Sequence, residues 1–472
     1  MHGTAHHAPS THPPVAAHPR RRLLLGVLCL AQFMLVVDVT VINVALPAIG
    51  ADLHLGRSAL TWAVTAYTLC FGGLMLLGGR LADAFGPRRT LTAGLLLFTA
   101  ASLTAGLADG PVLLLAGRAA QGVGAALVSP AALAALTRAF DGPERTRALG
   151  VWAMLGGIGF AAGAMLGGLL TAGPGWHWVF FVNLPVALAV LAALPALFPP
   201  TPPAAGRRID LPGALLVTAA TGALVLGLVN AGDSGWGSAS AVLPLLGSLA
   251  LYGLFAAVER RTDAPLMDVR ILARRPVAAG SLLMLVATAL LLGLVFLASL
   301  YLQDVRRLSA LATGALVLPM AAGTAVAAHL TGRRLARAGV RTVATGGLLL
   351  AAAGIALLAC TDGPAWTVAG LTLAAFGIVP VLVCATTTAL GFVPHEEAGL
   401  ASGVVNTFHE VGGAIGIAVV STAAAPGIAA HTSAGFPTAH LALATTALLL
   451  AALTPALIPP GRAERPAGMH AH

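Results

Sequence analysis

The sequence predicts an all-α polytopic membrane protein, and three observations carry that prediction. Apolar runs long enough to cross a bilayer recur from one end of the chain to the other, charge is scarce, and arginines gather in alternate gaps between the runs. A span needs about 20 mostly apolar residues. Hydrophobic residues make up 58% of the chain and charged residues 9%, with a mean hydropathy of +0.90; soluble domains carry roughly 25% charged residues.

Glycines, prolines and charge clusters divide the chain into fourteen candidate spans. They begin near Leu23, Ala59, Thr90, Val112, Ala148, Trp178, Pro212, Ala239, Pro276, Leu311, Thr342, Ala365, Leu400 and Thr438. The first follows Arg20 to Arg22 as a signal peptide would, but its apolar run reaches Leu46, longer than a signal's apolar region, and it reads as a retained span. Arginine placement then fixes an expected topology, because short cytoplasmic loops are enriched in Arg and Lys. With both termini in the cytoplasm, 22 of the 26 basic residues fall inside and only Arg57, Arg306 and Arg307 outside, leaving Arg118 within a span. All 26 are arginine. An even number of spans fits this distribution.

Two loops are alike. GRLADAFGPRR from Gly79 and GRRLARAGVRT from Gly332 align Gly79 with Gly332, Arg80 with Arg333, Gly86 with Gly339 and Arg88 with Arg341. Each follows the second span of a six-span unit once spans seven and eight are set aside. The expected plan is two six-helix halves plus two inserted helices: a cytoplasmic His/Pro-rich tail at 1–22, a first half at 23–197, linker and insert at 198–275, a second half at 276–458, and a tail at 459–472. Paired halves are how many secondary transporters build a central site that opens alternately to either side.

Composition also excludes functions. The net charge of +9 is spread in short clusters with no arginine-rich helix or RNA-type motif, so no nucleic-acid partner is expected. Cys29, Cys70, Cys360 and Cys384 lie in apolar runs without metal spacing and read as small buried hydrophobes. The histidines of the tails, such as His2, His6, His7, His470 and His472, sit in disordered-type sequence; metal binding by them is the competing reading. Neither a nucleophile elbow, a metal-ligand pair nor a phosphate loop is present, so no cofactor, no metal and no enzymatic activity are expected.

One residue breaks the apolar pattern most sharply. Asp38 lies in VVDVTVINVALP, Val36 to Pro47, and an aspartate at the centre of a span costs about 2.5–3.5 kcal/mol on insertion scales, so it is expected to face a cavity or a partner. Asp38 stands about 15 residues above Arg22, or roughly 23 Å into a core of about 30 Å; Arg118, in a helix running the other way, lies about six residues, or roughly 9 Å, from the outer surface. The depths match, and Arg118 is the candidate partner.

Four segments in order carry a family resemblance. VVDVTVINVALP, GRLADAFGPRR, LLAGRAAQGVGAA from Leu114 and GFAAGAMLGG from Gly159 resemble the first-helix, loop, helix 4 and helix 5 motifs of the major facilitator superfamily, in its fourteen-span drug:proton antiporter branch; WHWVFFVNLP from Trp176 and GLASGVVNTFHEVGGAIG from Gly399 add to the likeness. The resemblance implies the major facilitator fold, with helices 1 and 4 lining the central cavity and Arg118 taking part in proton transfer; a monomer is expected. Asp38 is expected to take and release the coupling proton, with Arg118 favouring the ionised carboxylate in one conformation and burial favouring the neutral acid in another. A permanent ion pair holding two helices together is the alternative. By the same resemblance Gly79, Asp83, Gly86 and Arg88 form a conformational latch, with Gly79 permitting close helix approach and Asp83 engaging the facing half. Ala84 and Pro87 stand where many members carry basic residues.

The remaining candidates come from spacing. Gly156, Gly159, Gly163 and Gly167 form a small-residue stripe, continued by Gly168, that suits close packing of a helix. Ala164 stands where the family usually has proline. Ser402, Asn406 and His409 share a face, with Glu410 at its edge, and Gln32 and Asn43 share a face of the first helix. Gln32, Asn43, Asn406, His409 and Glu410 are candidate cavity liners, interhelical hydrogen bonding being the alternative role. The expected function is proton-coupled export of amphipathic small molecules across the cytoplasmic membrane; a dedicated exporter of a self-made antibiotic and a non-transporting sensor or scaffold are the other readings. Small-molecule substrate, protons and the lipid bilayer are the expected partners.

Overall fold

Inside hydrocarbon every backbone N–H and C=O must be paired within the protein, and apolar segments separated by loops meet that demand as helices. The computed structural model is helical throughout and describes residues 18–198, 210–262, 265–266, 269–361, 363–391 and 398–458. The tails at 1–17 and 459–472 and most of the proline-rich linker, 199–209, lie outside the described residues.

In chain order the helices are α1 (His18–Asp52), α2 (Arg57–Phe85), α3 (Pro87–Gly106), α4 (Pro111–Ala139), α5 (Gly142–Ala172), α6 (Trp178–Phe181), α7 (Asn183–Leu197), α8 (Leu211–Ser234), α9 (Ala239–Glu259), α10 (Arg275–Leu300), α11 (Ala310–Cys360), α12 (Pro364–Leu390), α13 (Ala398–Ala423), α14 (Ala425–Ala430) and α15 (Phe436–Leu457). A π-helical turn, Tyr301–Val305, extends α10. Pro87, Pro111, Pro212, Pro276 and Pro364 open their helices, where the missing N–H has no intrahelical partner to lose.

Among the described residues 13 helical segments are long and apolar enough to cross a membrane. Two lie within α11, Ala310–Leu335 and Arg337–Cys360, and the helix breaks at Gly339, with φ 77°, near the start of the second. The expected third span corresponds to α3, whose 20 residues reach about 30 Å. Arg88, Arg89 and a scatter of threonines make it less apolar than the others.

The neighbour pattern occurs twice. In the first part α1 packs on α5 and α7, while α4 packs on both α2 and α3; in the second, α10 packs on α13 and α15, and α12 packs on the two arms of α11. The two parts meet along α2 with α13 and α5 with α11, which exchange places under the repeat, and along α1 with α10. Helix α8 lies across α2 and α13 together, and α9 packs on α8.

The loops aligned by sequence adopt the same turn. Gly86 has φ 90°, ψ 144° and Gly339 φ 77°, ψ 162°, a region that only glycine enters without strain. Arg88 donates from Nη1 to the Phe198 carbonyl at 3.1 Å, at the end of α7, and Arg341 donates from Nη2 to the Pro455 carbonyl, at the end of α15.

At the end of the bundle away from these loops, all three seams between the two parts are closed. Ser299 donates to the Asn43 carbonyl, and Gln303 Nε2 donates to the Val44 carbonyl at 2.8 Å. A Cβ on Gly168 would sit 2.8 Å from the Ala310 carbonyl oxygen, and one on Gly314 would press on the Ala164 carbonyl. Arg57 of α2 donates to Ser421 of α13 at 3.0 Å.

Candidate functional site

The site is built where α1, α4 and α7 converge. Asp38 Oδ2 accepts from Arg118 Nη1 at 2.6 Å, and neither side chain is more than 1% exposed. Asp38 Oδ1 accepts from Asn183 Nδ2 at 2.8 Å and from Gln121 Nε2 at 3.2 Å. Gln121 braces the pair from the other side: its Oε1 accepts from Arg118 Nη1 at 2.8 Å while its Nε2 also donates to Ser102 Oγ of α3 at 2.8 Å.

The glycines of α4 let the surroundings reach in. A Cβ on Gly117 would stand 3.0 Å from Ala105 of α3, and one on Gly122 would overlap the Tyr67 carbonyl of α2. With α2 so close, the Ala63 carbonyl accepts from Arg118 Nε at 3.0 Å, and the Tyr67 ring lies 4.5 Å below the guanidinium, a cation–π distance. The arginine is thus held by an anion, an amide, a carbonyl and a ring.

Every contact to the Asp38 carboxylate is a donor. Oδ1 accepts two hydrogen bonds and Oδ2 one, so donors from α4 and α7 hold the carboxylate of α1 in place together.

Asn183 and Gln121 escaped the sequence reading. Gln121 was legible in principle, because it lies one helical turn from Arg118 on α4. Asn183 was not, being 145 residues from Asp38. It occupies the first position of α7, where the chain restarts after the short α6.

The other expected site residues lie elsewhere. Asp83 lies in the last turn of α2, not in a loop, and its Oδ1 is 3.8 Å from Arg138 Nη2 of α4, a contact within its own part of the molecule. The close helix approach falls at Gly78, whose added Cβ would overlap the Ala126 carbonyl, and not at Gly79, which has ordinary space with Pro130 3.9 Å away. The cause is helical phase: Gly78 faces α4 and Gly79 points beside it.

In α5, a Cβ added to Gly159 would stand 2.7 Å from Val36, one on Gly163 would overlap Thr40, and one on Gly167 would stand 2.9 Å from the Val41 carbonyl oxygen, so the stripe seats α1. Gly168 is turned toward α11 instead. Gly156 does not belong to the contact, since nothing lies within 4 Å of its Cβ position; it precedes the point at which α1 comes close.

Helix α13 carries the second polar group. His409 Nδ1 and Thr288 Oγ1 of α10 are 2.9 Å apart, Asn406 is exposed, and Glu410 is buried against α2, where a Cβ on Gly72 would be 3.3 Å from the Val411 nitrogen. In α1, Gln32 is half-buried. Asn43 is 1% exposed and donates to the Val39 carbonyl of its own helix at 2.7 Å, so in this conformation it belongs to the closed α1–α10 seam.

A bundle of membrane-length helices in two matching parts, with a buried charge pair where three of them converge, defines a polytopic carrier-type membrane protein. The chain belongs to the Major Facilitator Superfamily, whose model matches residues 28–417. It is 41% identical to the puromycin resistance protein pur8 of Streptomyces alboniger over 429 residues, 88% of this chain and 84% of that one. To the cephamycin export protein CmcT of Amycolatopsis lactamdurans it is 38% identical over 460 residues, 94% and 93% of the two chains. The multidrug resistance protein Stp of Mycobacterium tuberculosis is 34% identical over 404 residues, covering 85% of this chain and 75% of its own. In fold the chain is similar to an auto-inhibited POT family peptide transporter, with a TM-score of 0.68 at 16% identity over 95% of this chain and 99% of that one.

Proposed function

We propose that this protein is a proton-coupled exporter of amphipathic small molecules, working by alternating access in the cytoplasmic membrane. The observation that carries the reading is the buried Asp38–Arg118 pair, set among amide donors where three helices converge. Asp38 takes and releases the coupling proton, and Arg118 provides the positive charge against which its ionised form is held. The names of the resistance and export relatives support drug-like cargo.

In this reading the two halves, 23–197 and 276–458, rock about the central site as a monomer, the arginine-bearing loops and both termini face the cytoplasm, and Gly79, Asp83, Gly86 and Arg88 serve as the cytoplasmic latch. Glu410 and His409 on α13 are the second polar site, with Glu410 suited to a cationic group on the cargo. The protein is a carrier rather than an enzyme.

The test is proton-driven efflux in inverted vesicles with Asp38→Asn. The variant, expressed at the wild-type level, loses coupling; full coupling would leave the pair a mere fastener between helices. A dedicated exporter of one self-made antibiotic is the second reading, favoured by relatives whose names carry a single compound, puromycin or cephamycin. A susceptibility panel in an efflux-deficient host separates the two: protection against one chemical class supports the dedicated exporter, and against several the broad one.

A further inference from the structure

We infer that the inserted helix α8 is a clamp that moves with α2 and releases α13, with Arg57 as its fixed point. Arg57 begins α2 at the end of the bundle opposite the latch loops and is only 7% exposed. All three of its guanidinium nitrogens are engaged. Nε and Nη2 donate to Asp233 Oδ1 of α8 at 3.1 and 2.6 Å, Nη2 also donates to the Val229 carbonyl of α8 at 2.6 Å, and Nη1 donates to Ser421 Oγ of α13 at 3.0 Å. Gly232 makes room for this, since a Cβ there would stand 2.8 Å from Nη2.

Helix α8 is also tied directly to α13. Thr422 Oγ1 donates to the Leu228 carbonyl at 2.6 Å, and Ser421 Oγ shares a 2.6 Å hydrogen bond with Thr61 Oγ1 of α2. Three elements, one from each repeated part and one from the insert, therefore meet within two helical turns.

Opening this end requires α2 and α13 to part, and α8 can follow only one of them. Following α13 would break the Arg57–Asp233 ion pair, with its two charge-assisted bonds to one carboxylate oxygen, and the Arg57–Val229 bond with it. Following α2 gives up Thr422–Leu228 alone, since Thr61–Ser421 and Arg57–Ser421 join α2 to α13 and are lost in either case. Thr422–Leu228 joins neutral groups, and charge-assisted bonds are roughly twice as strong as such contacts. The arginine keeps its anion and a carbonyl throughout. The weaker seam is the one between α8 and α13, and it is the one that opens.

The inference rests on the alternating-access reading, and its test is chosen to be separable from it. In the full-length protein with Cys29, Cys70, Cys360 and Cys384 replaced, spin labels are placed at Leu228→Cys with Thr422→Cys for the α8–α13 seam, and at Leu69→Cys with Gly222→Cys for the α2–α8 seam. Distances measured in liposomes are expected to show two populations for the first pair and one for the second. The reverse pattern, or single distances at both pairs in protein that transports, overturns the clamp. As a second measurement, joining Leu228→Cys to Thr422→Cys with a short bifunctional thiol reagent is expected to stop efflux reversibly, while joining Leu69→Cys to Gly222→Cys leaves it at least half intact. Efflux that survives the first cross-link overturns the clamp even where the labels perturb folding. Absence of proton-driven efflux in the unlabelled protein counts against the exporter reading alone, because the label distances still report which helix α8 follows.

Discussion

Gly86 and Gly339 turn the chain in the same way: each has a φ that side chains avoid, and each precedes by two residues an arginine bound to the end of a helix. The turn is a matched part of both halves of the molecule. Substituting alanine forces a Cβ into this region, at a cost of about 1–3 kcal/mol. Gly86→Ala and Gly339→Ala are each expected to lower thermal stability in detergent by similar amounts. A neutral result at one position would show that its turn relaxes freely.

Arg118→Leu is the severe substitution at the site. It leaves the Asp38 carboxylate buried with two amides and no cation, and breaking a buried pair in this way costs about 3–5 kcal/mol. Adding Asp38→Asn removes the stranded charge. The double variant is therefore expected to recover stability relative to Arg118→Leu while remaining uncoupled, as read by thermal unfolding together with vesicle efflux. Equal stability of the single and double variants would argue that Asp38 takes up a proton as soon as its partner is gone.

Asn183→Ala removes a 2.8 Å donor to Asp38. Hydrogen bonds to charged groups contribute about 1.5–3 kcal/mol, so proton-driven efflux is expected to fall while Asp38 and Arg118 remain paired. Asn183→Gln, which keeps an amide on a longer arm, restores part of it. Unchanged efflux in Asn183→Ala would reduce this residue to packing.

Two glycines of α5 make a paired control. Gly163→Ala places a methyl against Thr40 and is expected to cost about 1–3 kcal/mol by overpacking, whereas Gly156→Ala enters open space and gains helix propensity of about 1 kcal/mol. Unfolding of the two variants side by side tests whether the stripe seats α1 as described.

Much of the architecture was legible because apolar length and arginine placement respond directly to the bilayer, and prolines such as Pro212 and Pro276 mark helix starts in the sequence itself. The Asp38–Arg118 pair was legible too, since two charges at matched depth in apolar runs have few other partners. Asn183 was hidden because a single amide in an aromatic segment carries no energetic anomaly until the fold brings it to Asp38. Arg57 misled for a different reason. At a span boundary an arginine reads as a loop charge, and only the position of α8 shows it to be buried. Gly78 and Gly79 differ by one residue, a rotation of about 100° on a helix of 3.6 residues per turn, which motif matching alone does not resolve.

Helix α8 lies over the contact between α2 and α13, and among the described residues neither α8 nor α9 packs closely on α5 or α11 at the matching contact. The molecule is therefore nearly twofold inside and one-sided toward the lipid around it. The bilayer therefore meets a shielded flank over one of the two equivalent helix contacts and a bare one over the other, so lipids border the two seams differently although the helices within are arranged alike.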